Sequence, residues 1–126
     1  MAKNTDNKKF WGMIIYEKVG DGCFIGLWNN NDKSKHGRIF NEITRKVDDL
    51  ADKIVGNYVC SWIDSINEPI SALLKISRIN NIEYSFHWFD SNHNVLFRGI
   101  GMEIGLHNIA VTYWYGDEHS LTLALQ

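Results

Sequence analysis

Ile82-Glu83-Tyr84-Ser85-Phe86-His87-Trp88-Phe89 sets its large rings at every second position, so Tyr84, Phe86 and Trp88 share one side of an extended chain. Ahead of it, Ser71 to Arg78 is a second run of strand-forming residues, and Ile79-Asn80-Asn81 between them supplies turn chemistry. The two runs predict a β-hairpin. Working outward, Trp11 to Lys18 and Cys23 to Trp28 flank Gly20-Asp21-Gly22, whose glycines permit positive φ, which predicts another hairpin. Val55 to Ile63 places Tyr58, Cys60 and Trp62 on one face and Val59, Ser61 and Ile63 on the other. Downstream, Val95 to Ile104 follows the polar turn at Asp90 to Asn94, Asn108 to Tyr115 follows Gly105-Leu106-His107, and Ser120 to Leu125 reads as a last strand.

Antiparallel strands joined by short turns form a meander, and a meander of about eight strands removes its exposed edges most simply by closing on itself. The expected fold is therefore mostly β, an antiparallel up-and-down barrel with strands in sequence order. One segment departs from this pattern. Ile39, Ile43, Val47, Leu50 and Ile54 follow helical spacing with charged residues between them, which predicts a short amphipathic helix near residues 39–53. If its first half were extended instead, it would supply another stave. The single proline, Pro69, falls at a strand start, where a missing backbone donor costs little.

A chain of 126 residues with 44% hydrophobic and 13% aromatic content can bury one sizeable core without metal or disulfide support. Residues 10–126 are expected to form one barrel domain after a flexible tail at 1–9. A net charge of −2, with Lys and Arg scattered among acids, argues against a nucleic-acid partner. The apolar run from Phe10 to Tyr16 is too short to span a membrane as a helix and lacks the cleavage site of a signal peptide, so a cytoplasmic protein without a membrane partner is expected. Cys23 and Cys60 show no metal or redox spacing and are expected to be reduced thiols.

Gly26-Leu27-Trp28 resembles the Gly-x-Trp signature of the calycin barrels, the superfamily of lipocalins, fatty-acid-binding proteins and avidins. Gly56-Asn57-Tyr58, Leu74-Lys75-Ile76, Tyr84 to Trp88 and Phe97-Arg98-Gly99-Ile100-Gly101 resemble strand patterns of small lipocalin-like or avidin-like bacterial proteins. The resemblance runs roughly from Gly22 to Trp114 in short, degenerate motifs. It implies a non-enzymatic barrel that holds a small apolar ligand. The polar residues by which avidins hold biotin are not matched here, and the predicted helix lies early in the chain, whereas lipocalins carry theirs near the C-terminus.

The expected ligand-binding wall comprises Trp28, Tyr58, Trp62, Tyr84, Phe86, Trp88 and Tyr113, rings that would either line a pocket or fill the barrel. His87 and Arg98 lie in apolar strands. Facing inward, they would call for an anionic ligand or a buried carboxylate such as Glu83 or Glu103; alternation places His87 outside. Gly99-x-Gly101 lacks the strand-turn-helix context of a nucleotide loop and instead suggests a bulge, a bend or close packing under a ring. His36, His87, His93, His107 and His119 have no metal-ligand spacing, and no nucleophile motif occurs, so neither a metal, another cofactor nor a catalytic residue is assigned. Two alternatives stand beside the ligand-binding barrel. One is a packed barrel that forms homo-oligomers or docks proteins through Phe89, Trp114 and Tyr115; the other is a small enzyme using His87 or His107 with a carboxylate.

Overall fold

The structure, a computed structural model, describes residues 9–49, 51–63 and 68–117. Eight strands follow one another: β1 (Gly12–Gly20), β2 (Cys23–Asn30), β3 (Phe40–Lys46), β4 (Gly56–Ile63), β5 (Pro69–Arg78), β6 (Glu83–Phe89), β7 (Val95–Ile104) and β8 (Asn108–Tyr115). Each pairs antiparallel with its neighbour in sequence, and β8 returns to β1, where Gly12 lies opposite Tyr113 and Glu17 opposite Asn108. This ladder closes the barrel and leaves no edge unpaired among the described strands. No helix among the described residues is long and apolar enough to cross a membrane.

Alternation sorts the side chains as the sequence predicts. Ile14 and Tyr16 of β1, Phe24 and Trp28 of β2, Tyr58 and Cys60 of β4, Leu74 and Ile76 of β5, and Tyr84, Phe86 and Trp88 of β6 are all buried. Between β1 and β2, Gly22 takes φ 67° and completes the hairpin turn that the glycine pair predicts. Gly99 and Gly101 serve close packing. A Cβ at Gly101 would sit 2.8 Å from the Phe86 ring, and one at Gly99 would sit 3.3 Å from Trp88.

The predicted helix at 39–53 is replaced by β3 and a loop. Ile39, Ile43 and Val47 are 73%, 60% and 57% exposed, while the even-numbered Phe40, Glu42, Thr44 and Lys46 turn inward and are buried. A spacing of four keeps residues on one face in a helix and in a strand alike, so those outer aliphatics could not decide between the two. The only helical turn described is a 3-10 turn at Lys33–Lys35, capped by the Asp32 side chain, which accepts from the Ser34 amide. Leu50, the tail through residue 8 and the predicted strand at Ser120 to Leu125 lie outside the described residues. The count of eight is met because β3 supplies a stave.

The two ends of the barrel differ. Where β3 ends and β4 begins, residues 51–55 fold back against the opening: Ile54 is buried, and the Tyr58 hydroxyl donates to its carbonyl at 2.7 Å. Lys46 donates to the Asp52 carbonyl, while the Asp52 carboxylate accepts from the Ile54 and Val55 amides. That end is filled. Tyr16, Phe24, Tyr58 and Phe86 make ring contacts there at centroid separations of 6.1 to 6.2 Å.

Candidate functional site

At the opposite end, where β1 begins and β2 finishes, the interior holds a cavity of about 340 Å³. Its size suits a small organic molecule. Strand alternation supplies most of the wall: Ile14, Trp28 and Asn30 from β1 and β2, Glu42 from β3, Trp62 from β4 and Ile70 from β5. Trp88 closes the inner end, and Phe97, Tyr113 and Tyr115 complete the other side.

Several local features hold these rings in place. Gly12 lies beneath Tyr113, where a Cβ would come within 2.5 Å of the phenol ring, so the missing side chain lets Tyr113 lie along the wall. Asn30 donates to the Tyr113 hydroxyl at 3.2 Å, and that hydroxyl donates to the Asn29 carbonyl at 3.3 Å. Trp28 stacks on Phe40 at 4.6 Å. Between β6 and β7 the register slips, so that Phe97 opposes Trp88 while Val95 opposes Phe89. The bulge leaves Leu96 unpaired in the ladder, and both Leu96 and Phe97 reach the cavity. Phe10, just ahead of β1, stacks on Tyr115 at 4.0 Å and joins the rim. Asn31 straps that segment down by accepting from the Trp11 amide and donating to the Lys9 carbonyl.

Glu42 is the buried carboxyl group of the wall, 3% exposed. Its Oε2 accepts from the Tyr16 hydroxyl at 2.7 Å and from the Thr44 hydroxyl at 2.6 Å; neither bond uses Oε1. Burial raises its pKa above the ordinary glutamate value, against the opposing hydrogen bonds from Thr44, Tyr16, Trp88 and Cys60. Burial likewise raises the Tyr16 phenol and the Cys60 thiol, and the nearby Glu42 charge adds to both. The Trp28 indole nitrogen, also on a wall residue, is buried without a hydrogen-bond partner among the described residues. Asp32 and the buried Lys35 stand at the mouth, with the Lys35 ammonium 5.8 Å from the Phe40 ring centre.

The seven predicted wall residues divide between the two halves. Trp28, Trp62, Trp88 and Tyr113 border the cavity, whereas Tyr58, Tyr84 and Phe86 lie in the packed half. Neither "lined" nor "filled" describes the whole barrel. Sequence reasoning missed Glu42 because it fell inside the predicted helix. Extending strand alternation from Phe40 would have turned it inward.

His87 and Arg98 are cross-strand partners on the outer face, so neither charges the cavity. Desolvation lowers the His87 pKa, with Arg98 and then Lys75 adding to the effect. Glu83 accepts from the Asn80 side chain, and Glu103 is exposed and accepts from the Tyr84 hydroxyl, so neither is the buried partner that an inward His87 or Arg98 would have required. His107 is exposed in the β7–β8 turn at the closed end. The suggested outer patch also divides, since Tyr115 turns to the cavity rim, Trp114 is only 4% exposed and Phe89 is half-buried beside His87. Cys23 and Cys60 are free thiols. Among the described residues, no group of three His, Cys, Asp or Glu could hold a metal ion.

Comparison with known proteins finds no matching family model, no matching curated protein and no matching solved structure.

Proposed function

We propose that this protein is a non-enzymatic binding protein that takes a small, partly aromatic molecule into the open half of its barrel. The observation that carries this reading is the cavity itself: about 340 Å³ inside an otherwise packed eight-stranded barrel, walled by rings and bearing a few polar groups. Eight-stranded barrels are narrow enough to be filled solid by side chains, and here one half is filled and the other is not. Leaving ring faces unpacked forfeits dispersion contacts, which a ligand ring restores. The reading agrees with the resemblance to calycin barrels, although it extends only to the mode of binding and not to any ligand of those proteins.

Magnitudes indicate what kind of ligand suffices. Burying roughly 150 Å² of apolar ligand surface at roughly 25 cal/mol per Å² contributes about 4 kcal/mol, which is in the millimolar range before association costs. A micromolar ligand needs polar contacts as well, and Glu42 is placed on the wall to supply one.

The test is titration with N-phenylnaphthylamine, a neutral probe whose fluorescence rises in apolar surroundings. Saturable binding to the native protein, lost on Leu96→Trp, which fills the mouth, is the expected result. Equal binding by the Leu96→Trp variant, shown to be folded by circular dichroism, would place the probe elsewhere and refute the reading.

A further inference from the structure

Resting on that reading, we infer that the ligand carries a cationic amine, which the cavity seats against the Glu42 carboxylate with its aromatic body among Trp28, Trp88, Phe97 and Tyr113.

Three observations converge on an amine. The charged side chains on the wall are Glu42, Asp32 and Lys35, two acids to one base. Asp32 caps and Lys35 ends the same 3-10 turn at the mouth, one acid beside one base, so the acidic group of the wall without a basic counterpart on it is Glu42. Second, both hydroxyl bonds to Glu42 fall on Oε2 and leave Oε1 outside them. A carboxylate has about four acceptor sites, and because the Cys60 thiol gives its proton to the Ala72 carbonyl, a ligand donor can join Tyr16, Thr44 and the Trp88 indole on Glu42. Third, the rings of Trp28, Trp88, Phe97 and Tyr113 share this wall, and aromatic faces attract cations. A carboxylate ligand would instead meet Glu42 as a like charge in a poorly solvated space, where repulsion is weakly screened.

A wholly apolar ligand is the competing occupant. It would leave the Glu42 carboxyl facing hydrocarbon, with Tyr16, Thr44 and the Trp88 indole as its donors among the described residues, and would draw nothing from its acidity. An ammonium group converts that cost into a charge-assisted hydrogen bond.

The experiment compares three probes of one shape by calorimetry on the full-length protein at neutral pH: naphthylethylamine, naphthylethanol and naphthylacetate. The expected order is amine first, by about tenfold or more over the alcohol, with the acid weakest. In Glu42→Gln the amine should fall to the level of the alcohol while the alcohol itself is little changed. Should that variant not fold, carboxyl-carbon NMR of wild-type protein labelled on glutamate supplies the same information. The Glu42 resonance is expected to move with the amine and much less with the alcohol. Equal binding of amine and alcohol, or an amine preference that survives in folded Glu42→Gln, overturns this inference while alcohol binding leaves the cavity reading intact. Failure of all three probes to bind defeats both.

Discussion

Glu42 shows how one inward position can tie stability to pH. Its pKa is raised in the fold, chiefly by burial, so the native protein holds that proton more tightly than the unfolded chain does. Stability attached to this group is accordingly greatest below the unfolded glutamate pKa and declines as pH rises from there through the raised native value. Denaturant midpoints measured across that window should fall more steeply for wild-type protein than for Glu42→Gln. Parallel profiles would mean that Glu42 is not strained by burial. Asp52 acts with the opposite sign, because amide donors from Ile54 and Val55 lower its pKa. Its contribution is present above the unfolded aspartate pKa and is lost as pH falls through the lower native value, so the comparison with Glu42→Gln is what isolates the glutamate.

At the level of the strands, the fold depends on positions where a side chain is missing as much as on those where one is present. Gly101 of β7 lies under Phe86 and against Val111, both 2.8 Å from where a Cβ would stand, and the carbonyl of Ala110 closes the third side at 3.0 Å. Backbone cannot yield as the tip of a flexible side chain can. Gly101→Ala is therefore expected to destabilise the protein by about 1–3 kcal/mol, the usual cost of overpacking a filled interior. Urea unfolding of the two proteins measures it, and a difference below about 0.5 kcal/mol, the usual range for surface substitutions, would show that Phe86 can move aside. The β6–β7 bulge has the complementary role at the open end, where the unpaired Leu96 is turned into the cavity instead of extending the ladder.

For the whole molecule, closure joins the first strand to the eighth, so that Gly12 and Tyr113 become neighbours across nearly the full described chain. Such contacts repay their loop-closure entropy only after most of the barrel has assembled. Refolding followed by stopped-flow tryptophan fluorescence is expected on the millisecond-to-second scale typical of non-local β folds, and microsecond folding would contradict a closure-limited route. The two ends of the barrel also differ. Ile54 is buried at one, while Phe10, Asp32, Lys35, Leu96 and Tyr115 border the cavity at the other.

Period-two alternation in Tyr84 to Trp88 and in Tyr58 to Trp62, together with turn chemistry at Gly20 to Gly22 and Asn80, determined by itself that the chain forms an antiparallel meander and which rings turn inward. These are local properties, since a strand's faces are fixed by the covalent chain. Tertiary structure alone decided three matters. Residues 40–46 became a strand because the partner strands β2 and β4 on either side favour extension, whereas the spacing of Ile39, Ile43 and Val47 suits helix and strand equally. Inward rings divided into packing and cavity wall according to their height in the barrel, which strand register and the burial of Ile54 set and no local pattern encodes. Finally, Glu42 became a buried carboxyl beside Tyr16 only because three strands bring together residues 26 positions apart, a meeting that depends on register across the whole sheet.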